Sequence, residues 1–179
     1  MTSATVVFFH GQGGVVTSGG IDQMAEKVRN WPGDIRVKIY DWREWQHAMT
    51  DIDSAITDYI MACGYSMGAN ALTWLLSGVT YQSMYVAGMQ KRVMDLGIFI
   101  DPTWLSPVSP LTSRTLRRAI HFKNKSLDVV GHAAIPLAPD FPPSHMHVVE
   151  TMESHLTLDF DKLIQARILN EFSTIIEGA

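Results

Sequence analysis

Residues 59–68 read Tyr59-Ile60-Met61-Ala62-Cys63-Gly64-Tyr65-Ser66-Met67-Gly68. The mostly apolar run at 59–63 has the length of a short buried strand. Beyond it, Ala69, Leu72, Leu75, Leu76 and Val79 recur at helical spacing. Between the two lies Gly-x-Ser-x-Gly, the pattern of a sharp strand-to-helix turn with a serine at its tip, the nucleophile elbow. Side chains at positions 64 and 68 would collide with the neighbouring strand and helix, which accounts for glycine at both. Ser66 Oγ is expected to project from a sheet edge. The helix N-terminus behind it favours developing negative charge. The five-residue pattern also arises by chance in Gly/Ser loops; a strand before it and a helix after it set this instance apart.

Outward from the elbow, the pattern alternates between strand and helix. Residues 5–9 are a continuous β-branched and aromatic run, as in a strand buried on both faces. His10-Gly11-Gln12-Gly13-Gly14 ends it. That turn lacks the Lys-Ser/Thr of a phosphate loop and the spacing of a dinucleotide fingerprint. It reads better as an oxyanion loop, with the Gln12 N–H paired to the Met67 N–H around a tetrahedral intermediate. Ile21, Met24, Ala25 and Val28 mark a helix broken by Pro32-Gly33. Residues 36–40 alternate as a strand. Met49, Ile52, Ile56, Tyr59 and Ile60 give a helical stripe. Residues 80–94 are expected to be partly helical. Further strands are expected at 96–100, 119–122 and 145–149. Asp159 or Asp161 caps a last helix whose Phe160, Leu163, Ile164, Ile168, Phe172, Ile175 and Ile176 face the core.

This alternation predicts an α/β fold: one domain over residues 1–179, with a mostly parallel central sheet of about six strands and helices on both faces. Ligands bind beyond the carboxyl ends of such strands. Hydrophobic residues make up 46% of the 179 and charged residues 18%, which excludes a disordered chain. The net charge is −4, and the densest basic cluster is only Arg114, Arg117 and Arg118, so no nucleic-acid partner is expected. The single cysteine, Cys63, allows neither an internal disulfide nor a thiolate metal site, and reads as an inert core thiol. No signal-peptide pattern or membrane-spanning run is seen, so a cytoplasmic location without stable membrane insertion is expected.

A serine hydroxyl needs a histidine to take its proton, and the histidine needs a carboxylate to fix its tautomer. Of seven histidines, His10 falls in the Gly loop, His47 on a helix, His121 inside a strand, and His145 and His147 in the last strand. His155 stands just past that strand, at the sheet end expected to hold Ser66, in a loop free to reach it. His132 is the alternative. Two carboxylates follow strands after the elbow. Asp128 lies on the longer, more polar loop and is preferred; Asp101, followed by Pro102, is the alternative acid. Trp42, Trp45 and Trp104, with the Pro-rich loops 102–110 and 136–143, are candidates for an apolar substrate pocket, although packing over the sheet edge explains Trp42 and Trp45 equally well.

With His10-Gly11-Gln12-Gly13, Gly64-Tyr65-Ser66-Met67-Gly68 and a terminal His155, the chain resembles a small α/β-hydrolase along nearly its whole length. In size it is similar to the minimal, lid-less bacterial lipases and the cutinases; its single cysteine differs from the disulfide-bearing secreted cutinases. The resemblance implies an acid after the strand two beyond the elbow strand, Asp128, and an oxyanion donor after His-Gly, Gln12. It implies hydrolysis of a small-molecule carboxylic ester through an acyl-enzyme, with no metal or organic cofactor. Thioesters, lactones and amides suit the same parts. A non-catalytic binding protein on the same fold is the rival from another class.

Overall fold

A computed structural model describes residues 2–126 and 130–178. Its centre is a six-stranded, fully parallel sheet. The strands are β1 (Ser3–His10), β2 (Asp34–Asp41), β3 (Tyr59–Tyr65), β6 (Leu96–Ile100), β7 (Ala119–Asn124) and β8 (Met146–Thr151), in the spatial order β2-β1-β3-β6-β7-β8. Side chains alternate between the two faces, as the pleat requires. Val7, Phe9, Ile60, Ala62 and Phe99 point to one side, where α2 (Trp45–Asp53) and α3 (Met67–Ser77) cover them. Val6, Phe8, Met61, Cys63, Ile98 and Ile100 point to the other, under α1 (Gly19–Arg29) and α4 (Lys162–Glu177). A strand between two such layers carries apolar side chains on both faces, so the central strands read as unbroken apolar runs.

From β1, next to one edge, the chain moves out to the edge strand β2 and returns to the other side of β1 as β3. The strand order therefore reverses between β1 and β3. Outside the carboxyl ends of these two strands lies the crevice that such a reversal opens. The loop at Gly11 and the turn at Ser66 both sit there.

Three local expectations are corrected. Residues 79–86 form a hairpin, β4 (Val79–Tyr81) with β5 (Met84–Val86), rather than part of a helix. Gln82 and Ser83 both have positive φ, 47° and 66°, the backbone of a tight two-residue hairpin turn. The stripe before the elbow breaks early: α2 ends at Asp53 and Ile56 is exposed in the connecting loop. In α4, Asp161 is the cap, accepting from the Leu163 and Ile164 N–H groups. The buried stripe there runs through Ile164, Ile168 and Phe172, while Leu163 faces solvent and Phe160 precedes the helix. No helix among the described residues is long and apolar enough to cross a membrane.

Candidate active site

The turn from β3 into α3 holds Ser66 at φ 54° and ψ −122°, a conformation that side-chain-bearing residues adopt only under strain. The surrounding backbone enforces it. The Ser66 N–H donates to the Ile100 carbonyl at 2.9 Å, and the Ser66 carbonyl accepts from the Ala69 N–H at 2.9 Å. A Cβ on Gly64 would stand 2.3 Å from the Gly68 carbonyl oxygen, and one on Gly68 would stand 2.4 Å from that of Phe9. Both glycines are therefore required by close backbone approach. As the first residue of α3, Met67 has an N–H with no intrahelical acceptor.

His155, in the loop between β8 and α4, lies with Nε2 2.9 Å from Ser66 Oγ and Nδ1 2.7 Å from Asp101 Oδ2. With the proton on Nδ1, the imidazole donates to Asp101 and accepts from the Ser66 hydroxyl. All three groups are buried: Ser66 is 7% exposed, His155 3% and Asp101 0%. Asp101, directly after β6, has φ 41°, and its Oδ1 accepts the His132 N–H at 3.0 Å and the Asn124 N–H at 3.3 Å. The carboxylate is thus held from both sides. The Tyr65 hydroxyl donates to the His155 carbonyl, and the two rings lie 5.3 Å apart, which fixes the histidine loop to the end of β3.

Of the two candidate acids, Asp101 is the one seen beside His155. Among the described residues, the carboxylate at His155 Nδ1 is that of Asp101; Asp128, the preferred acid, lies outside them. Asp101 has a positive φ directly after β6 and reaches His155 without a long loop. His132, the alternative base, supplies a backbone N–H to Asp101 while its Nδ1 sits 2.9 Å from the Asn124 carbonyl. His10 meets Asp22 at 3.1 Å, at the start of α1.

Ser66 and His155 open into a small cavity of about 160 Å³, lined also by Gln12, Met67, Thr103 and Leu105. Gln12 is exposed, and the Thr17 hydroxyl donates to its carbonyl, bracing the Gly loop. Gly11 brings that loop close: a Cβ there would be 3.0 Å from Ser66 Cβ. Neither Trp42 nor Trp104 lines this cavity. Trp42 follows β2 and packs edge-on against Trp74 of α3, on the wall of a separate cavity of about 390 Å³ with Trp45 and Pro107. The sheet face onto which the chain turns after β2 decides this. Trp104 is exposed beside Leu105.

Three contributors had gone unrecognised. Asn70, fully buried in α3, donates to the Thr103 carbonyl and accepts the Thr103 N–H, both at 2.9 Å, which pins the loop after Asp101. A polar residue inside the apolar stripe of α3 was the available signal. Gly131, at φ 99°, lies against the Asp101–His155 pair, and Tyr65 holds the histidine loop; nothing in the sequence marks either.

Burial explains the perturbed titrations nearby. Cys63 lies wholly within the core, and desolvation raises its thiol pKa well above the usual range, as expected of an inert residue. Asp159, fully buried behind the histidine loop, is raised to about 6 by burial, against the opposing hydrogen bonds from the N-terminus of α1. His121, buried in β7, is lowered to about 4 by the same loss of water.

No protein-family model matches the sequence, and no curated protein matches it significantly. Solved structures do resemble it. The lin2722 gene product of Listeria innocua is similar at TM-score 0.56 and 13% identity, over 93% of this chain and 92% of that one. Est1E from Butyrivibrio proteoclasticus is similar at TM-score 0.52 and 11% identity, over 96% of this chain and 89% of that one. An acetyl xylan esterase aligns at TM-score 0.48 and 10% identity, over 97% and 98% of the two chains. The likeness to the first two extends over nearly the whole chain and is one of fold: a parallel six-stranded sheet between helical layers.

Proposed function

We propose that this chain is a serine hydrolase that cleaves carboxylic esters. The observation that carries the reading is the unbroken, buried line of hydrogen bonds from Asp101 through His155 to Ser66. Ser66 Oγ attacks the ester carbonyl as His155 Nε2 takes its proton; Asp101 stabilises the imidazolium that results. The oxyanion is held by the backbone N–H groups of Met67 and Gln12 in the small cavity they share with Ser66. His155 returns the proton to the leaving alcohol. Water, deprotonated by the same histidine, then cleaves the acyl-Ser66 ester and frees the acid. The strained elbow and the three-sided hold on Asp101 and His155 support this. Such groups must be kept in reacting geometry before substrate arrives.

The test is peptide mapping after exposure to a fluorophosphonate. One adduct on Ser66 is expected in the wild type, and none in His155→Ala or in Ser66→Ala, both folded by circular dichroism. Absence of any adduct on folded wild type would favour a non-catalytic binding protein on this fold. A panel of esters, thioesters, lactones and amides then ranks the leaving groups.

A further inference from the structure

The space beside Ser66 is unusual in two ways. At about 160 Å³ it falls well below the roughly 300–1,000 Å³ of pockets that enclose a whole organic ligand. It has room for a small acyl group, and the rest of a larger ester has to lie outside it. Among the described residues its lining contains no Asp, Glu, Lys or Arg, so that lining offers no counter-charge to an ionic substrate.

What lies at the mouth is apolar. Leu105, Val130 and Leu156 all line the cavity and yet remain 52%, 36% and 70% exposed. They come from three separate loops, after β6, before Gly131 and after His155. A single exposed leucine needs no explanation, but three converging on one reactive serine form a surface that water solvates poorly. Trp104, 61% exposed, extends it next to Leu105 in the chain.

Two of the three residues belong to the histidine side. Leu156 follows His155 directly. Val130 precedes Gly131, the residue that packs on the Asp101–His155 pair. In ester cleavage the leaving oxygen must receive its proton from His155 Nε2, so the leaving alcohol lies on that same side. Resting on the hydrolase reading above, we propose that the substrate is an uncharged ester with a small acyl group and an apolar alcohol. The acyl group sits in the cavity at Ser66, and the body of the alcohol lies across Leu105, Val130 and Leu156.

Isomeric esters separate the two sides of the bond. Hexyl acetate and methyl heptanoate have the same formula and carry the chain on opposite sides; glyceryl monoacetate keeps the acetyl group with a polar alcohol. All three would be assayed below their solubility limits. Hexyl acetate is expected to exceed both others in kcat/KM by about tenfold or more. In Leu156→Asn, the preference for hexyl acetate over methyl acetate should fall by about tenfold, mainly through KM. Ile56→Asn, an exposed apolar residue in the loop preceding β3, serves as the control and should leave the preference unchanged. A higher kcat/KM for methyl heptanoate or glyceryl monoacetate would overturn the assignment. So would hexyl acetate turnover that begins only above the solubility limit, which would indicate a lipid–water interface instead. A wild type that labels at Ser66 and cleaves methyl acetate without any preference sinks the substrate assignment alone. One that neither labels nor cleaves any ester removes the hydrolase reading with it.

Discussion

Gly131 leaves no room beside Asp101: a Cβ on the glycine would stand 2.2 Å from Asp101 Oδ2 and 2.6 Å from His155 Nδ1. The hydrogen bond that orients the imidazole is therefore sealed by a residue without a side chain, at a φ of 99° that suits glycine. Gly131→Ala must part the pair or shift the loop. Its kcat on a good ester is expected to fall by about a hundredfold or more, a loss of roughly 3 kcal/mol in transition-state stabilisation. Steady-state kinetics on protein shown to be folded checks this; a loss below tenfold would mean that the loop yields freely.

Asp101→Asn and Asp128→Asn test the acid directly. The asparagine at 101 can present its amide to Nδ1 and so stabilise the wrong tautomer. A fall of about ten-thousand-fold in kcat is expected, as in serine proteases treated this way. Asp128→Asn should change kcat by less than twofold. The reverse ranking in a side-by-side rate measurement would return the role to Asp128.

Asp159 offers a test by stability. It is fully buried, its Oδ2 accepts the Gly20 N–H at 3.0 Å, and its Oδ1 has no partner among the described residues. Burial raises its pKa from 3.8 to about 6, so the native state holds this proton more tightly than the unfolded chain does. Stability from this group is thus present at low pH and is lost as pH rises from about 4 through about 6. Asp159→Asn, which keeps an acceptor for Gly20, should stabilise the protein at pH 8 by on the order of 2 kcal/mol. The gain should shrink as pH drops toward 4.5. Urea unfolding at a series of pH values measures it.

His121 works in the opposite direction. Burial lowers its pKa from 6.5 to about 4, and its Nε2 is without a partner among the described residues. The unfolded chain takes up a proton that the native state refuses, so stability falls as pH drops from about 6.5 toward 4. His121→Gln should flatten that acid limb in the same urea series. An unchanged slope would show that the imidazole gains its proton without unfolding.

Most of the sheet could be read from the chain because a parallel strand between two helical layers is apolar on every residue. The runs ending at Phe9, Cys63 and Ile100 all have this form. Ser66 was legible for a different reason: its two glycines are demanded by carbonyl groups 2.3–2.4 Å from where a Cβ would stand. The acid was not. Asp101 and Asp128 both follow strands, and what separates them is a backbone angle at Asp101 together with the approach of Gly131 from a distant loop. Neither has a sequence period. Trp42 stayed open between a pocket wall and packing over the sheet edge, since hydrophobicity marks a residue for burial but does not say on which face of the sheet it will be buried.

The order Ser66, Asp101, His155 has a consequence for synthesis. The elbow strand β3 is flanked by β1 and β6, so the serine turn and its supporting Ile100 carbonyl are available once the first hundred or so residues have emerged. The base arrives with the loop after β8, the outermost strand of the sheet and the last to be made. Until that strand docks, Ser66 lacks the imidazole that stands 2.9 Å from its Oγ in the folded chain. For the hydrolase proposed above, activity is then expected only once β8 has joined the sheet, so that its appearance would report completion of that sheet.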